Sequence, residues 1–299
     1  MEEVTLKAED GYELSLHVFA ADGARGCVQI IHGMEEHKER YDGFAEKLVE
    51  AGFSVVSSDM RGHGKNAPVL GFFKEKDGYR YLLSDQKRIT AYAKERFGVK
   101  KVYIFAHSMG TIIARNLLQT ESGDYKKVVL SGFPCSPGRP AIDVAVGLSR
   151  LITALRGPAY DSKLVAYLGT GSFNKAIKHP KTKLDWLSYN EDNIRAYQAD
   201  KYCGHGFKVS AYLDLFTLVR RMSCPKCYRR VNERLPIFLI RGDGDPCTGF
   251  AKGASASVRT LKKAGFHSIR TKTYRHMRHE LLNEAGAELV TADIIRFLK

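Results

Sequence analysis

No apolar run in the chain approaches the ~18 residues that a membrane span requires, so a transmembrane anchor is not expected. The acidic start, Met1-Glu2-Glu3-Val4, has no apolar stretch behind it, which argues against a secretory leader. Cysteine is sparse and scattered, with 6 in 299 residues. A disulfide framework is thereby excluded, and reduced thiols in a cytoplasmic chain are expected. Internal repeats and low-complexity tracts are absent. No helix-turn-helix, zinc-finger or aromatic-basic motif accompanies the positive charge, so nucleic acid is not expected as a partner.

What the chain does have is enough apolar material for a full core. It is 44% hydrophobic and 27% charged, which fits one large domain or one domain with an insertion. The net charge is +14 and unevenly placed. Between Phe133 and Leu235 stand 17 Lys and Arg against 8 Asp and Glu, so +9 of the total lies in the middle third. Such a segment suits an anionic lipid surface or a phosphate-bearing substrate. The plainer reading is a basic, well-solvated surface.

In chain order, Val4 to Phe19 reads as a hairpin about Asp10-Gly11. Val28-Gln29-Ile30-Ile31 is a buried strand ending in His32-Gly33, and Val55-Val56 belongs to another ending in Asp59. Between them Phe44 and Leu48 mark a helix. Ser84 can N-cap a helix that carries Ile89, Ala93 and Phe97 and stops at Gly98. Strands follow at Val102 to Phe105, Val128 to Leu130 and Ile237 to Ile240, then roughly Ile269 to Tyr274 before a closing amphipathic helix. Short apolar strands alternating with helices form the pattern of a parallel α/β sheet, whose sites lie at the carboxyl ends of strands. The alternation breaks from Pro134 to about Leu235. Two stripes occur there, one with Leu148, Leu151, Ile152 and Leu155, the other with Tyr212, Leu215, Phe216 and Val219. The expected division is a core of residues 1–132 and 236–299 with an inserted helical cap of residues 133–235.

Ser108 sits between the strand ending at Phe105 and a helix beginning near Met109. Ala106 and Gly110, two residues to either side, are small enough to let strand and helix approach closely. Taken alone, the pattern also suits a serine N-capping an ordinary crossover helix.

The pentapeptide resembles the small-x-Ser-x-Gly nucleophile elbow of the α/β-hydrolases. His32-Gly33-Met34-Glu35-Glu36-His37 with Arg40-Tyr41 resembles the HGxxEH…RY segment of their monoacylglycerol lipase and lysophospholipase branch, of the serine aminopeptidase S33 type. Asp59-Met60-Arg61-Gly62-His63-Gly64 is similar to the branch's D-x-R-G-H-G loop, Gly242-Asp243-Gly244-Asp245 to its acid turn, and His279-Glu280-Leu281-Leu282-Asn283-Glu284 to its HE-x-x-NE ending. The stretch from Asp185-Trp186 to Cys203-Gly204 resembles bacterial lysophospholipases. The likeness spans nearly the whole chain and departs from the pattern at Ala106, where a glycine is usual.

The resemblance implies an α/β-hydrolase fold, with a mostly parallel sheet, helices on both faces and an inserted cap. It implies a serine hydrolase of lipid-like acyl esters with Ser108, Asp245 and His279 in the chain order nucleophile, acid, base. The oxyanion donors would be the backbone amides of Met34 and Met109. Gly33, Leu151, Leu215 and Phe216 are the expected substrate contacts. Asp243 competes with Asp245 for the acid, and His276 with His279 for the base, whose neutral form should appear as pH rises through ~6–7. Asp59 is expected to stabilise its own Arg61/His63 loop, and His32, His63 and His107 to be structural. Cys224-Pro225-Lys226-Cys227 could hold zinc with Cys203 or His205, but one CxxC without a second is thin support. No metal and no cofactor is therefore expected. Acyl transfer, thioesterase or peptidase work on the same residues, or a silent ligand receptor, are the competing functions.

Overall fold

The computed structural model describes residues 1–299. Eight strands form one sheet: β1 (Glu2–Lys7), β2 (Glu13–Phe19), β3 (Cys27–Ile31), β4 (Ser54–Ser58), β5 (Val102–His107), β6 (Tyr125–Ser131), β7 (Ile237–Gly242) and β8 (Ile269–Tyr274). Their spatial order is β1-β2-β4-β3-β5-β6-β7-β8. From β4 to β8 every pairing is parallel, and only β2, antiparallel to both β1 and β4, runs against the rest. This is the mostly parallel sheet that the alternation predicted.

Successive side chains of a strand point to opposite faces, and the central strands are apolar on both. Ile104, Ala106, Leu130 and Leu239 face one cluster of buried residues, while Tyr103, Phe105, Val129 and Ile240 face the other. Helices α1 (Asp42–Glu50) and α9 (Ala287–Leu298) cover the second face through Phe44, Leu48, Ile294 and Leu298. Helices α2 (Gly78–Phe97), α3 (Met109–Leu117) and α8 (Phe250–Lys263) pack on the first, through residues such as Ile89, Ile113 and Leu261. Each fully buried aliphatic side chain contributes roughly 1.5–3 kcal/mol, which anchors the strand ends that carry the polar loops.

Between β6 and β7 the chain is helical: α4 (Arg139–Arg156), α5 (Lys163–Ala166), α6 (Glu191–Ala199) and α7 (Val209–Met222), with short irregular turns between them. Helix α7 is buried along much of its length, and Leu215, Phe216 and Leu218 join the larger apolar cluster. A separate small cluster, Leu187, Ile194, Tyr197 and Cys203, holds the α6 region together.

Two expectations need correction. Helix α2 starts at Gly78, ahead of Ser84, whose hydroxyl instead donates to the Tyr81 carbonyl within the helix (3.1 Å). The buried carboxyl of Asp214, from α7, packs against Gly78 at the start of the helix, where a Cβ would overlap its Oδ2. Leu151 is 57% exposed, because α4 turns Ile142, Ala145 and Val146 inward and Leu151 away from the core. It is therefore not a lining residue of the cavity described below.

Candidate active site

The strand β5 delivers Ser108 to a backbone conformation that side chains rarely adopt, φ +48° and ψ −119°. Strain of this kind costs on the order of 1–3 kcal/mol and persists only where neighbours over-determine it. Here the Ser108 N–H donates to the Ser131 carbonyl (3.0 Å), and Thr111 returns its N–H (2.9 Å) and hydroxyl (2.8 Å) to the Ser108 carbonyl. A Cβ at Gly110 would overlap the Ile31 and His32 carbonyls, so α3 can approach β3 this closely only with glycine there. Ala106 is fully buried, and its extra methyl is accommodated in the apolar cluster.

His279 joins Ser108 to Asp245. Its Nε2 lies 2.7 Å from Ser108 Oγ and its Nδ1 lies 3.0 Å from Asp245 Oδ2. The other Asp245 oxygen accepts from the Cys247 N–H (2.8 Å), so the carboxylate is fixed on both sides. With the Nδ1 proton donated to Asp245, Nε2 is left to accept the serine proton. Burial disfavours the charged ring, but Asp245, with Glu280 and Glu36 behind it, outweighs burial and raises the His279 pKa above the usual histidine value. His107, its neighbour at 4.8 Å between ring centres, is pushed down to about 4 by burial and by His279. His107 therefore stays neutral. The rivals lie elsewhere: His276 is exposed on a turn at φ +53°, and Asp243 is exposed beside Asp245.

The Met34 N–H has no partner within the protein, and Met109 opens α3, where helical amides are unpaired. Both residues line the cavity that Ser108 faces. The loop carrying Met34 is held from two directions. His32 Nε2 accepts from the Met60 N–H (3.0 Å), and the Gly33 N–H donates to Glu36 Oε1. Glu36 also accepts from Tyr41 Oη (2.7 Å) and Arg40 Nη1 (2.6 Å). Any Cβ on Gly33 would press on Glu36, His107 and Ser108.

The cavity measures about 1010 Å³, and 20 of its 39 lining residues are hydrophobic, which leaves room for a long apolar group. Its floor is Gly33, Ser108 and His279, and its walls include Ile142, Trp186, Leu215 and Phe216 from the stretch between β6 and β7.

The sequence profile of a family described as serine aminopeptidase, S33 matches residues 22–286. The chain belongs to that family. Its fold is that of the α/β-hydrolases: a thermostable carboxyl esterase from Bacillus coagulans superposes with a TM-score of 0.91 at 25% identity, over 99% of this chain and 97% of its own. A monoacylglycerol lipase from Mycolicibacterium smegmatis is 25% identical over 274 residues, 92% of this chain and 88% of the relative. The monoacylglycerol lipase of Paleococcus ferrophilus shares the fold with a TM-score of 0.74 and 22% identity, over 96% and 98% of the two chains.

Among the motif residues of this family, several take partners that spacing does not suggest. Asp59 serves Lys38, accepting from its N–H (2.9 Å) and its Nζ (2.8 Å), not its own loop. Arg61 instead pairs with Asp10 and Asp85, at 2.6 and 2.5 Å. Cys203 lies with His37 and Asp200, and His205 packs on His63, so neither joins Cys224 and Cys227. Arg40 is the largest omission: it forks onto Glu280 (3.0 and 2.8 Å), touches Glu36, and donates to Asn193 Oδ1 (3.1 Å) on α6. Its partners lie up to 240 positions away in the chain, so only the fold brings them together. Trp186, whose ring centre is 4.9 Å from that of His279, was visible as a motif residue without a role.

Proposed function

We propose that the protein is a serine carboxylester hydrolase acting on lipid-like acyl esters, monoacylglycerols or lysophospholipids, through an acyl-enzyme on Ser108. The observation that carries this reading is His279 bridging Ser108 and Asp245 at the floor of a large, half-apolar cavity. The Ser108 hydroxyl attacks the ester carbonyl as His279 Nε2 takes its proton. The oxyanion is held by the Met34 and Met109 N–H groups, each worth roughly 3–4 kcal/mol in comparable sites. Collapse expels the alcohol, which takes the proton back from His279. Water, deprotonated by the same ring, then releases the fatty acid and restores Ser108. The named activities of the relatives agree with ester hydrolysis.

Residues 133–235 serve in this reading as a cap, with Leu215 and Phe216 against the acyl chain. Glu35, a part-buried wall residue whose carboxyl is pushed up to about 7 by burial, faces the same cavity and suits a hydroxyl-bearing alcohol. Lys163, Lys175 and Lys183 also line it, which favours a second substrate type with an anionic head group. The excess positive charge of the cap supports peripheral contact with anionic lipid. Six free thiols suit a reducing, cytoplasmic setting.

The test is a panel of p-nitrophenyl esters from acetyl to palmitoyl, run beside monoacylglycerol and lysophosphatidylcholine, with fluorophosphonate labelling. Medium and long acyl esters should be preferred, and the label should appear on wild type and vanish in Ser108→Ala. A Ser108→Ala protein that keeps more than a few per cent of turnover would remove the assignment.

A further inference from the structure

A second cluster of chemically capable side chains lies outside the Ser108 cavity, around His37. Its ring is engaged on both nitrogens, Nδ1 with Glu39 Oε2 (2.6 Å) and Nε2 with Asp200 Oδ2 (2.7 Å). Cys203 completes the group: one ligand atom each from His37, Asp200 and Cys203 lies within 4.8 Å of the others. His37 and Cys203 are buried and Asp200 is partly so. The turn is preorganised, since Asp200 Oδ1 accepts from the Tyr202 N–H (2.8 Å) and its carbonyl from the Cys203 N–H (3.0 Å). That leaves Oδ2 and Sγ facing the ring.

We propose that His37, Asp200 and Cys203 form a binding site for a zinc-type divalent cation. Nitrogen, oxygen and sulfur donors together suit borderline metals, with a fourth, tetrahedral position left to water. Glu39 on Nδ1 is the partner that metal-bound histidines commonly have, fixing the tautomer and making Nε2 more basic. The proton count balances. Binding releases the Cys203 thiol proton and the Nε2 proton, while Nδ1–H stays with Glu39. Net charge is unchanged by binding, because the divalent cation replaces two protons, while Lys38 stays shared between Glu39 (2.9 Å) and Asp59 (2.8 Å). Arg40, the other cation nearby, is already committed to Glu36 and Glu280.

The site has a mechanical consequence. It ties the loop after β3 to the 200–203 turn, next to where the Gly204 N–H (3.0 Å) and Tyr197 hydroxyl (2.8 Å) hold the Glu35 carbonyl. Metal would thus clamp the helical stretch to the loop that carries Met34. This inference does not depend on the Ser108 chemistry.

The experiment is titration of the chelator-treated full chain with Co²⁺, read by the near-ultraviolet thiolate-to-cobalt charge-transfer band. The expected result is saturation at about one equivalent. Cys203→Ser should abolish the band, and Glu39→Gln should weaken affinity about 10–100-fold. A Cys224→Ser/Cys227→Ser double variant should keep it. If Cys203→Ser fails to fold by circular dichroism, Asp200→Asn carries the same test and must weaken binding at least about tenfold. A protein that gives no band, a band that survives these changes, or one that disappears with Cys224 and Cys227 overturns the proposal and leaves His37 as a fixed ion pair.

Discussion

The loops at the sheet's carboxyl edge and the helical stretch between β6 and β7 are held by different forces. At the edge, glycines and backbone hydrogen bonds set the turn at Ser108, and the side chains of His32 and Glu36 brace the loop beside it. Gly110 admits two carbonyls, Gly132 at φ +57° leaves room for the His279 ring, and Ser108 is pinned through its own amide and carbonyl. The helical stretch shares the larger apolar cluster with the core through α7, and a polar seam also joins it to that edge. Arg278 donates to the Ser188 carbonyl (3.1 Å) and stacks on Tyr189 at 3.9 Å, Arg40 reaches Asn193, and Asp214 lies at the start of α2.

The sharpest break of this comparison is at the base. His279→Ala should lower turnover by at least about 10⁴-fold, as loss of a member of such a unit does. His276→Ala, on an exposed turn, should keep at least about a tenth of wild-type turnover, by its distance from the reacting atoms. If the two behave the other way round, the base moves to His276. The acylation rate, followed as the p-nitrophenol burst, should rise with pH as His279 loses its proton. Because Asp245 raises that pKa, the rise belongs above 6.5, the usual histidine value. Asp245→Asn removes the raising charge and leaves burial, which lowers the pKa, so the residual rate should rise at lower pH. A limb that stays in place would show that Asp245 does not act on His279.

Next in size is the seam. Arg40 neutralises two nearly buried carboxylates, and its loss leaves Glu36 and Glu280 facing each other unpaired. Breaking a buried pair from one side costs about 3–5 kcal/mol, so Arg40→Met should lose that much in urea unfolding at neutral pH. The sign with pH follows from Glu280. Burial raises its pKa, but Arg40 overrides burial and lowers it to about 2. That stabilisation is present above the ordinary glutamate pKa and is lost as pH falls through about 2. Wild type should therefore keep its advantage over Arg40→Met at neutral pH and lose it toward strong acid. Equal stability at pH 7 would show that the seam is solvated.

How far the sequence could be read follows the same division. That Ser108, Asp245 and His279 would meet at the sheet's carboxyl edge was legible from the motifs that carry them, and Gly110 because a tight turn tolerates little else. The parallel strands were legible because burial on both faces requires continuous apolar runs. Asp59 was misread because its partner Lys38 belongs to another loop, and no local spacing encodes that pairing. The start of α2 was misread because the first turns, from Gly78, pack against Asp214 of the distant α7, a contact that no local spacing encodes. Leu151 was misread for a different reason. Helical periodicity reports that a face is apolar, not what covers it, and α4 carries apolar side chains on two faces.

That second face of α4 supplies the smallest expected effect. Val144, Leu151 and Leu155 are all exposed, Leu148 is half-buried between them, and the spacing puts the four on one side of the helix. Leu164, Tyr167 and Leu168 are exposed nearby in sequence, as is Arg150 within α4. Because none of the α4 leucines fills the core, Leu151→Ser/Leu155→Ser should change unfolding free energy by no more than about 0.5 kcal/mol per site. Hydrolysis of a short, water-soluble ester should be unchanged. If the cap's apolar face and positive charge meet lipid together, activity on anionic vesicles should fall several-fold in this variant. In wild type it should also fall as salt shortens the screening length from about 10 Å at 0.1 M toward 3 Å at 1 M. The two effects must appear on vesicles and not on the soluble ester. Equal rates for variant and wild type on vesicles, together with flat salt dependence, would reduce this face to solvated surface.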